Sequence, residues 1–464
     1  MAKVMQVQPA KAEDRRLARA KKLLSAGEID QAFELVESVL REDPDDAQAL
    51  VIAAEALKKA KKLPLAYSLA ARAAQLRPER AETWGAQGHA AQQLWRLDEA
   101  IACYRKALQR AHTTALKALY TNNLASVYLD AGDFRKAEAP AREAIALDPV
   151  DVSPRHNLGL SLLAQRRWEE GWAAYSASIG SPARLNVKYL PEPEPTWDGT
   201  PGQTVAIYGE QGLGDEISAA SMLPDAIRDC RKVIVDCDPR LAPLFRRSFP
   251  EAAVHGTRQS KALDWPEEDR ALDASIAAFE IGRFYRKSDA EFPGTAYLTP
   301  CPDRTAMWKA LFASKRKPVI GIAWSGGTWA NAGRHRQMPL AEWAPLFEAV
   351  DAHWVSLQYK SAAAEIAGTP VVEYPYATLT KDYDDTAALV AACDLVICVQ
   401  TSVGHLAGAL GVPAWVLVPK QTQWRYGEDQ TDTPWYRSVK LYRARTGWPI
   451  QTLTADLRRH FAHH

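Results

Sequence analysis

Cysteine is scarce in this chain, with six in 464 residues and no C-x-x-C pair. Cys103, Cys230, Cys237, Cys301, Cys393 and Cys398 are scattered, which excludes a disulfide framework and fits reduced thiols in a cytoplasmic protein. Long apolar runs are also lacking. No stretch approaches the roughly 20 residues of a membrane span, so no span is expected. The opening MAKVMQVQPAKAEDRRLARAKK has no apolar core of the secretory kind. Charge of either sign is not in surplus: the net value is +1, which gives no basis for a broad nucleic-acid or membrane surface. There is no G-x-S-x-G elbow, zinc-ligand spacing or Walker A motif, and no metal site is expected. What remains is globular, 47% hydrophobic and 24% charged, and long enough for several domains.

The first half repeats. Ala32, Ala66 and Ala100 are spaced by 34 residues, Ala137 follows after 37, and Gly171 after a further 34. The extra three residues fall near His112-Thr113-Thr114. A second series of small residues, Ala54, Gly88, Ala125 and Gly159, keeps the same step where two helices must cross closely. Pro44 and Pro78 are also 34 apart. A 34-residue unit of two helices resembles the tetratricopeptide repeat (TPR). Five units are read, starting near Glu13, Ala47, Ala81, Ala118 and Val152. Such units stack into a superhelix whose groove binds peptides or proteins.

The segment SPARLNVKYLPEPEPTWDGTPGQ (181–203) is rich in proline and reads as a linker. Beyond it, strands alternate with helices in two series. TVAIYGE, the turn QGLGDE, the helix ISAASMLPDAIRDC, KVIVDCD and RLAPLFRRSF make the first. PVIGIAWSGG, PLAEWAPLFEAV, HWVSLQY, TAALVAACD, LVICV and AWVLV make the second. This alternation predicts parallel sheets with sites at the carboxyl ends of their strands.

Two motifs carry chemistry. Gly209, Gly212 and Gly214 form a glycine turn after the first strand, with Asp215 at the start of a helix. The turn lets backbone approach a ligand, although Asp215 alone also suits a helix cap. The pattern is not G-x-G-x-x-G, which disfavours a dinucleotide dehydrogenase. In the second series, Gln400, Thr401 and Ser402 end a strand, and His405 lies in the helix that follows. A helix start with hydroxyls suits an anion, while an isolated histidine there also packs structurally. Asp236-Cys237-Asp238 looks like a metal-binding D-x-D, a short match that is set aside. Asp382, Asp384 and Asp385 are read as caps of the next helix.

LGDEISAASMLPDAI resembles the first motif of the heptosyltransferase-type glycosyltransferases, and the hydroxyl pair before HLAGALGVP resembles their donor motif. With the repeats, the chain resembles bacterial TPR glycosyltransferases, some of which are linked to flagellin modification. The likeness covers nearly the whole chain and is weakest over 256–316. It implies an α + α/β architecture: a TPR superhelix over 13–180, the linker, then a GT-B pair of Rossmann-like lobes at 204–302 (acceptor side) and 303–464 (nucleotide-sugar side). It also implies metal-independent sugar transfer from a nucleotide sugar, with no other cofactor, to an acceptor hydroxyl.

In that scheme Asp215 is the general base. Arg336, or Arg334 in the same loop, meets the donor phosphates. Gln400, Thr401, Ser402 and His405 complete the donor side. The array presents a protein acceptor, with flagellin a candidate. Asn123 and Asn157, 34 apart, resemble the asparagine ladder of some protein-modifying sugar transferases; a cap or bridge between repeats is the plainer and preferred reading. Trp424, Arg425 and Trp435 either line the donor pocket or pack back on the first lobe. One departure stands out: where the family has an acid before Thr-x-x-x-His, this chain has Gln400. The alternative function is therefore a TPR scaffold or binding protein with a degenerate transferase region.

Overall fold

The computed structural model describes residues 15–179, 184, 194–260, 263–327 and 333–462. The Arg334 side chain and most of the expected linker, 181–183 and 185–193, lie outside the described residues. The chain forms two compact units: Met1–Tyr128 with Ala139–Asp151, and Leu129–Glu138 with Val152–His464.

Among the described residues ten helices run through the repeats: α1 (Arg15–Ala26), α2 (Ile29–Glu42), α3 (Ala47–Lys59), α4 (Leu63–Leu76), α5 (Ala81–Gln93), α6 (Leu97–Arg110), α7 (Thr114–Asp130), α8 (Phe134–Leu147), α9 (Ser153–Ala164) and α10 (Trp168–Ser176). The small residues of the period sit where helices touch. Ala32, Ala66, Ala100 and Ala137 are completely buried. A Cβ on Gly88 would meet the Tyr104 ring at 3.0 Å, so a larger side chain at that crossing would press on the ring. The fifteenth residue of every unit, Gly27, Lys61, Trp95, Gly132 and Arg166, has φ between 59° and 84°. In four units the next N–H closes a six-residue bond, such as Lys62 N to Leu57 O at 2.8 Å and Arg96 N to Ala91 O at 2.9 Å. This is the Schellman end of a helix, which turns the chain into the second helix of each unit. In the first unit the apolar stripes of α1, α2 and α3 close a core of Leu17, Leu24, Val36, Val39 and Ile52.

The second unit holds two parallel sheets. β1 (Thr204–Tyr208), β2 (Lys232–Asp236), β3 (Ala253–His255) and β4 (Ala274–Ala277) lie in the order β3-β2-β1-β4. β5 (Val319–Ala323), β6 (His353–Ser356), β7 (Val371–Glu373), β8 (Leu395–Val399), β9 (Ala414–Val418) and β10 (Val439–Arg443) lie in the order β10-β9-β8-β5-β6-β7. Read from the other edge, the larger sheet is the doubly wound 3-2-1-4-5-6 arrangement, and the smaller is its first four strands. Both sheets reverse order beside their first strand, which opens a crevice at its carboxyl end. The apolar runs of β1, β5, β8 and β9 are buried throughout, as expected of strands covered on both faces. Trp324, Trp343, Trp354, Ile397, Leu417, Leu453 and Leu457 fill the larger core. The end of the linker adds a parallel bridge, Thr196 to Ser275, at the β4 edge.

The connecting helices are α11 (Leu213–Ala219), α12 (Leu223–Asp229), α13 (Ala242–Ser248), α14 (Gly282–Tyr285), α15 (Pro302–Ala313), α16 (Ala344–Ala349), α17 (Ala363–Ile366), α18 (Pro375–Thr378), α19 (Tyr383–Val390), α20 (Ser402–Ala409) and α21 (Ile450–His460). The single helix expected over 217–230 is divided between α11 and α12. Pro224 sits in the first turn of α12, where its missing N–H costs nothing, so a new helix starts there.

The helix pair read as the fifth repeat, α9 and α10, packs into the second unit. Trp172 Nε1 donates to Arg286 O at 2.8 Å, and Trp168 Nε1 to Asp289 Oδ1 at 2.6 Å. Gly282 leaves room for the Trp172 ring, because a Cβ there would stand 2.6 Å from it. Trp168, Trp172, Phe279, Phe292, Trp424 and Trp435 form one aromatic cluster, with Trp168 and Phe292 centroids 4.6 Å apart. Trp424 and Trp435 thus pack back on the first lobe. All six cysteines are free thiols, and among the described residues no helix is long and apolar enough to cross a membrane.

Candidate functional site

A cleft of about 350 Å³ lies where the carboxyl ends of β1, β5 and β8 converge. It gathers Gly212, Gly214, Asp215, Arg336, Gln400, Thr401, Ser402 and His405 from the sequence motifs, with Arg240, Tyr383 and Arg425 beside them. A hollow of about 460 Å³ beside α12 and α13 is lined by Ser221, Pro224 and Asp225 from the end of the first motif and by Trp435, but by none of the residues given the base or donor roles. Both its arginines are paired: Arg286 is bonded to Asp225 and to Ser221 O, both at 2.8 Å, and Arg228 to Asp225 at 2.9 Å and Asp229 at 2.8 Å.

On the first lobe, the glycine turn brings α11 against α20. A Cβ on Gly214 would meet His405 Cδ2 at 3.1 Å and Ser402 Cα at 3.2 Å, so only glycine permits this approach without a shift. Gly209 lies deeper, against Glu216, Arg258 and Asp236 O, and does not line the cleft. Asp215 Oδ2 accepts from Gly212 N at 2.9 Å. Its other oxygen is ion-paired with Arg425 Nη2. The functional group most tightly coupled to Asp215 was therefore readable only as a loop residue, because 210 positions separate the partners.

On the second lobe, Thr401 caps α20, its hydroxyl accepting from Val403 N at 3.1 Å. Ser402 Oγ accepts from the Tyr383 hydroxyl at 2.9 Å. Gln400 is buried; its amide nitrogen donates to Thr422 Oγ1, and its oxygen has no partner among the described residues. His405 is buried between two phenols, with Tyr436 Oη 3.2 Å from Nδ1 and Tyr426 Oη 3.2 Å from Nε2. Burial, then the Arg425 and Arg336 charges, push its pKa well below the ordinary value, so the ring is neutral. Both nitrogens are occupied, which is the packing arrangement open to a histidine at this position.

Arg336 differs from every other arginine in the cleft. Arg425 has Asp215, and Arg240 has Asp238 at 2.9 Å. The Arg336 side chain is 7% exposed and makes no hydrogen bond or ion pair among the described residues. Burial lowers its pKa from the ordinary arginine value. An unpaired buried cation is costly. Beside it the start of α20 adds the positive end of a helix dipole. The arrangement can hold an anion near Arg336, opposite a carboxylate on the other lobe.

The remaining candidates lie elsewhere. Asp236 accepts from Thr257 N and Oγ1, and Asp238 is bonded to Arg240 and Gln259, so each has a structural partner. Asp382 caps α19 by accepting from Asp384 N at 3.0 Å, while Asp384 pairs with Arg247 at 2.7 Å. Among the described residues no group of three or more His, Cys, Asp or Glu is placed to hold a metal ion. Asn123 lies on α7 and Asn157 on α9, both half-buried.

The family model for the tetratricopeptide repeat matches residues 79–149. Among solved structures, a thermophilic TPR protein of Thermus thermophilus is similar over 37% of this chain and 92% of its own, at 23% identity and TM-score 0.33. The pilF protein of Pseudomonas aeruginosa is similar over 37% of this chain and 78% of its own, at 18% identity and TM-score 0.34. Protein FlbA of Caulobacter vibrioides is 31% identical over 423 residues, which is 86% of this chain and 70% of that protein. That alignment spans most of both proteins, and by it the chain belongs to the FlbA family.

Proposed function

We propose that the chain is a GT-B glycosyltransferase that moves a sugar from a nucleotide-activated donor to an acceptor hydroxyl. The observation that carries the reading is the unpaired Arg336 beside the start of α20, across the cleft from Asp215. A nucleotide sugar supplies the missing anion. Arg336 and the start of α20 meet its phosphate and balance the charge that grows as the sugar leaves. Asp215 takes the proton of the attacking hydroxyl. Its ion pair with Arg425 orients the carboxylate, and that pair must loosen as the proton arrives. Gln400 offers its free amide oxygen to a sugar hydroxyl. The charge balance comes from the chain's own cations, so the scheme does not route through a metal. The repeats present the acceptor, a protein by the nature of such arrays, with flagellin the candidate, in the cytoplasm.

A second reading, a TPR scaffold with a lapsed transferase region, is favoured by Gln400 standing where an acid is expected. Thermal titration with CMP-, ADP-, GDP- and UDP-linked sugars separates the two. Binding at a hundred times Kd stabilises by about 2.7 kcal/mol. The expected result is a selective rise in melting temperature that is lost in Arg336→Ala and kept in Asp215→Asn, with transfer lost in both. A melting temperature unmoved by every donor, with acceptor present or absent, would leave the scaffold.

A further inference from the structure

We propose that Tyr175 is a positioning residue for the transfer reaction, tying down the loop that presents Asp215. This inference rests on the reading of Asp215 as the base. Tyr175 comes from α10, outside both sheets, yet it is completely buried and reaches the glycine turn after β1. Its hydroxyl accepts from Gln211 Nε2 at 2.7 Å and donates to Glu210 Oε2 at 3.3 Å. Phe279 packs edge-on against its ring with centroids 6.4 Å apart, and the Arg184 guanidinium lies 4.0 Å from the ring centroid. The phenol therefore has no freedom to leave the loop.

The loop needs such a tie. Gln211 has φ of 64°, a left-handed conformation that carries a cost for any residue but glycine. Besides Tyr175, its restraint is at the carbonyl, which accepts from Arg258 Nη2 at 2.7 Å. Glu210, one residue earlier, is fixed by Arg184 at 3.2 Å and by Phe279 N at 3.1 Å. Four residues after Gln211 comes Asp215. A loop that relaxes at Gln211 turns the start of α11 and moves the carboxylate across the cleft. A displacement of about 1 Å is enough to cost up to roughly a hundredfold in rate. The contact also ties a helix of the repeat pattern directly to the reaction centre.

The test is Tyr175→Phe, which keeps the ring and removes the hydroxyl, made in the full chain. Amides 209–215 should exchange with solvent at least about tenfold faster, while amides of β5 and β8 do not change. With a donor that shifts the melting temperature of the wild type, that shift should persist, and kcat should fall roughly ten- to a hundredfold at unchanged donor KM. Gln211→Gly supplies the second arm, because glycine adopts this φ without a tie. In that background Tyr175→Phe should add little. Unchanged loop exchange in Tyr175→Phe overturns the inference, as does an equal rate penalty in both backgrounds. If the wild type transfers nothing from any donor, the functional reading falls instead, and the exchange comparison still decides whether Tyr175 holds the loop.

Discussion

Five residues end the first helix of a repeat in the left-handed region, and only Gly27 and Gly132 among them are glycine. For an L side chain that conformation costs about 1–2 kcal/mol. Gly27→Ala should lose about that much, since nothing lies within 4 Å of the added methyl. Gly132→Ala should lose more, because its methyl would also run into the Lys420 carbonyl oxygen. Lys61→Gly should gain up to about 1 kcal/mol, the relief offset by glycine's larger entropy loss. Urea midpoints of the three variants check the order, and an equal loss for both alanines would refute the Lys420 contact. His156 gives a pH test. Burial first, then the Arg184 charge, hold its pKa down to about 4, against 6.5 ordinarily. The unfolded chain thus takes up a proton first as pH falls. The stability it contributes is complete above pH 6.5 and lost on descending toward pH 4, at most about 3 kcal/mol at about 1.4 per unit. His156→Gln should flatten that part of the stability profile.

At the scale of elements, strands that are long apolar runs are legible in the sequence. TVAIY, VIGIA, LVICV and AWVLV read as strands and are strands. The short AVH, ASIA and VVE do not announce themselves, since three or four residues carry no period, yet they set the strand order. The repeats are legible because small residues recur at a fixed step wherever backbones touch. The cleft is legible in the two motifs that close it, whereas the Arg425–Asp215 pair and the Tyr175 contacts are not, because tertiary folding alone brings those positions together. α20 shows the same effect on propensity. Alanine normally improves a helix over glycine by about 1 kcal/mol. At Gly408 the added methyl would press on the Tyr436 ring, with its Cδ1 at 2.7 Å. Gly408→Ala should therefore destabilise by about 1–3 kcal/mol, the usual overpacking cost, measured by chemical denaturation. A stabilised variant would show that the ring moves aside freely.

Over the whole molecule, the proline-rich segment at 181–203 looks like the natural place to divide the chain, and packing divides it earlier. α10 supplies Trp168, Trp172 and Tyr175 to the aromatic cluster of the second unit. Phe134 O accepts from Ser161 Oγ at 2.7 Å, and Glu138 pairs with Arg167 at 2.7 Å, which draws the start of α8 into the same unit. A fragment beginning at Ser181 would leave the Trp172 seat at Gly282 open to water and should aggregate. One beginning at Thr114, the start of α7, should elute as a single compact species. Size-exclusion with light scattering compares them, and equal behaviour would mean that α9 and α10 are dispensable to the fold.

The same geometry governs how such a protein can be recombined. An array spliced in from a relative at the proline-rich segment would arrive with foreign residues in place of Trp172 and Tyr175, and so with a foreign floor under the glycine turn. The tolerant junction is the short stretch after α6, at His112 and Thr113, where the repeat spacing already accommodates three additional residues. Exchange there would let the first repeats diverge while the last are inherited with the cleft they support.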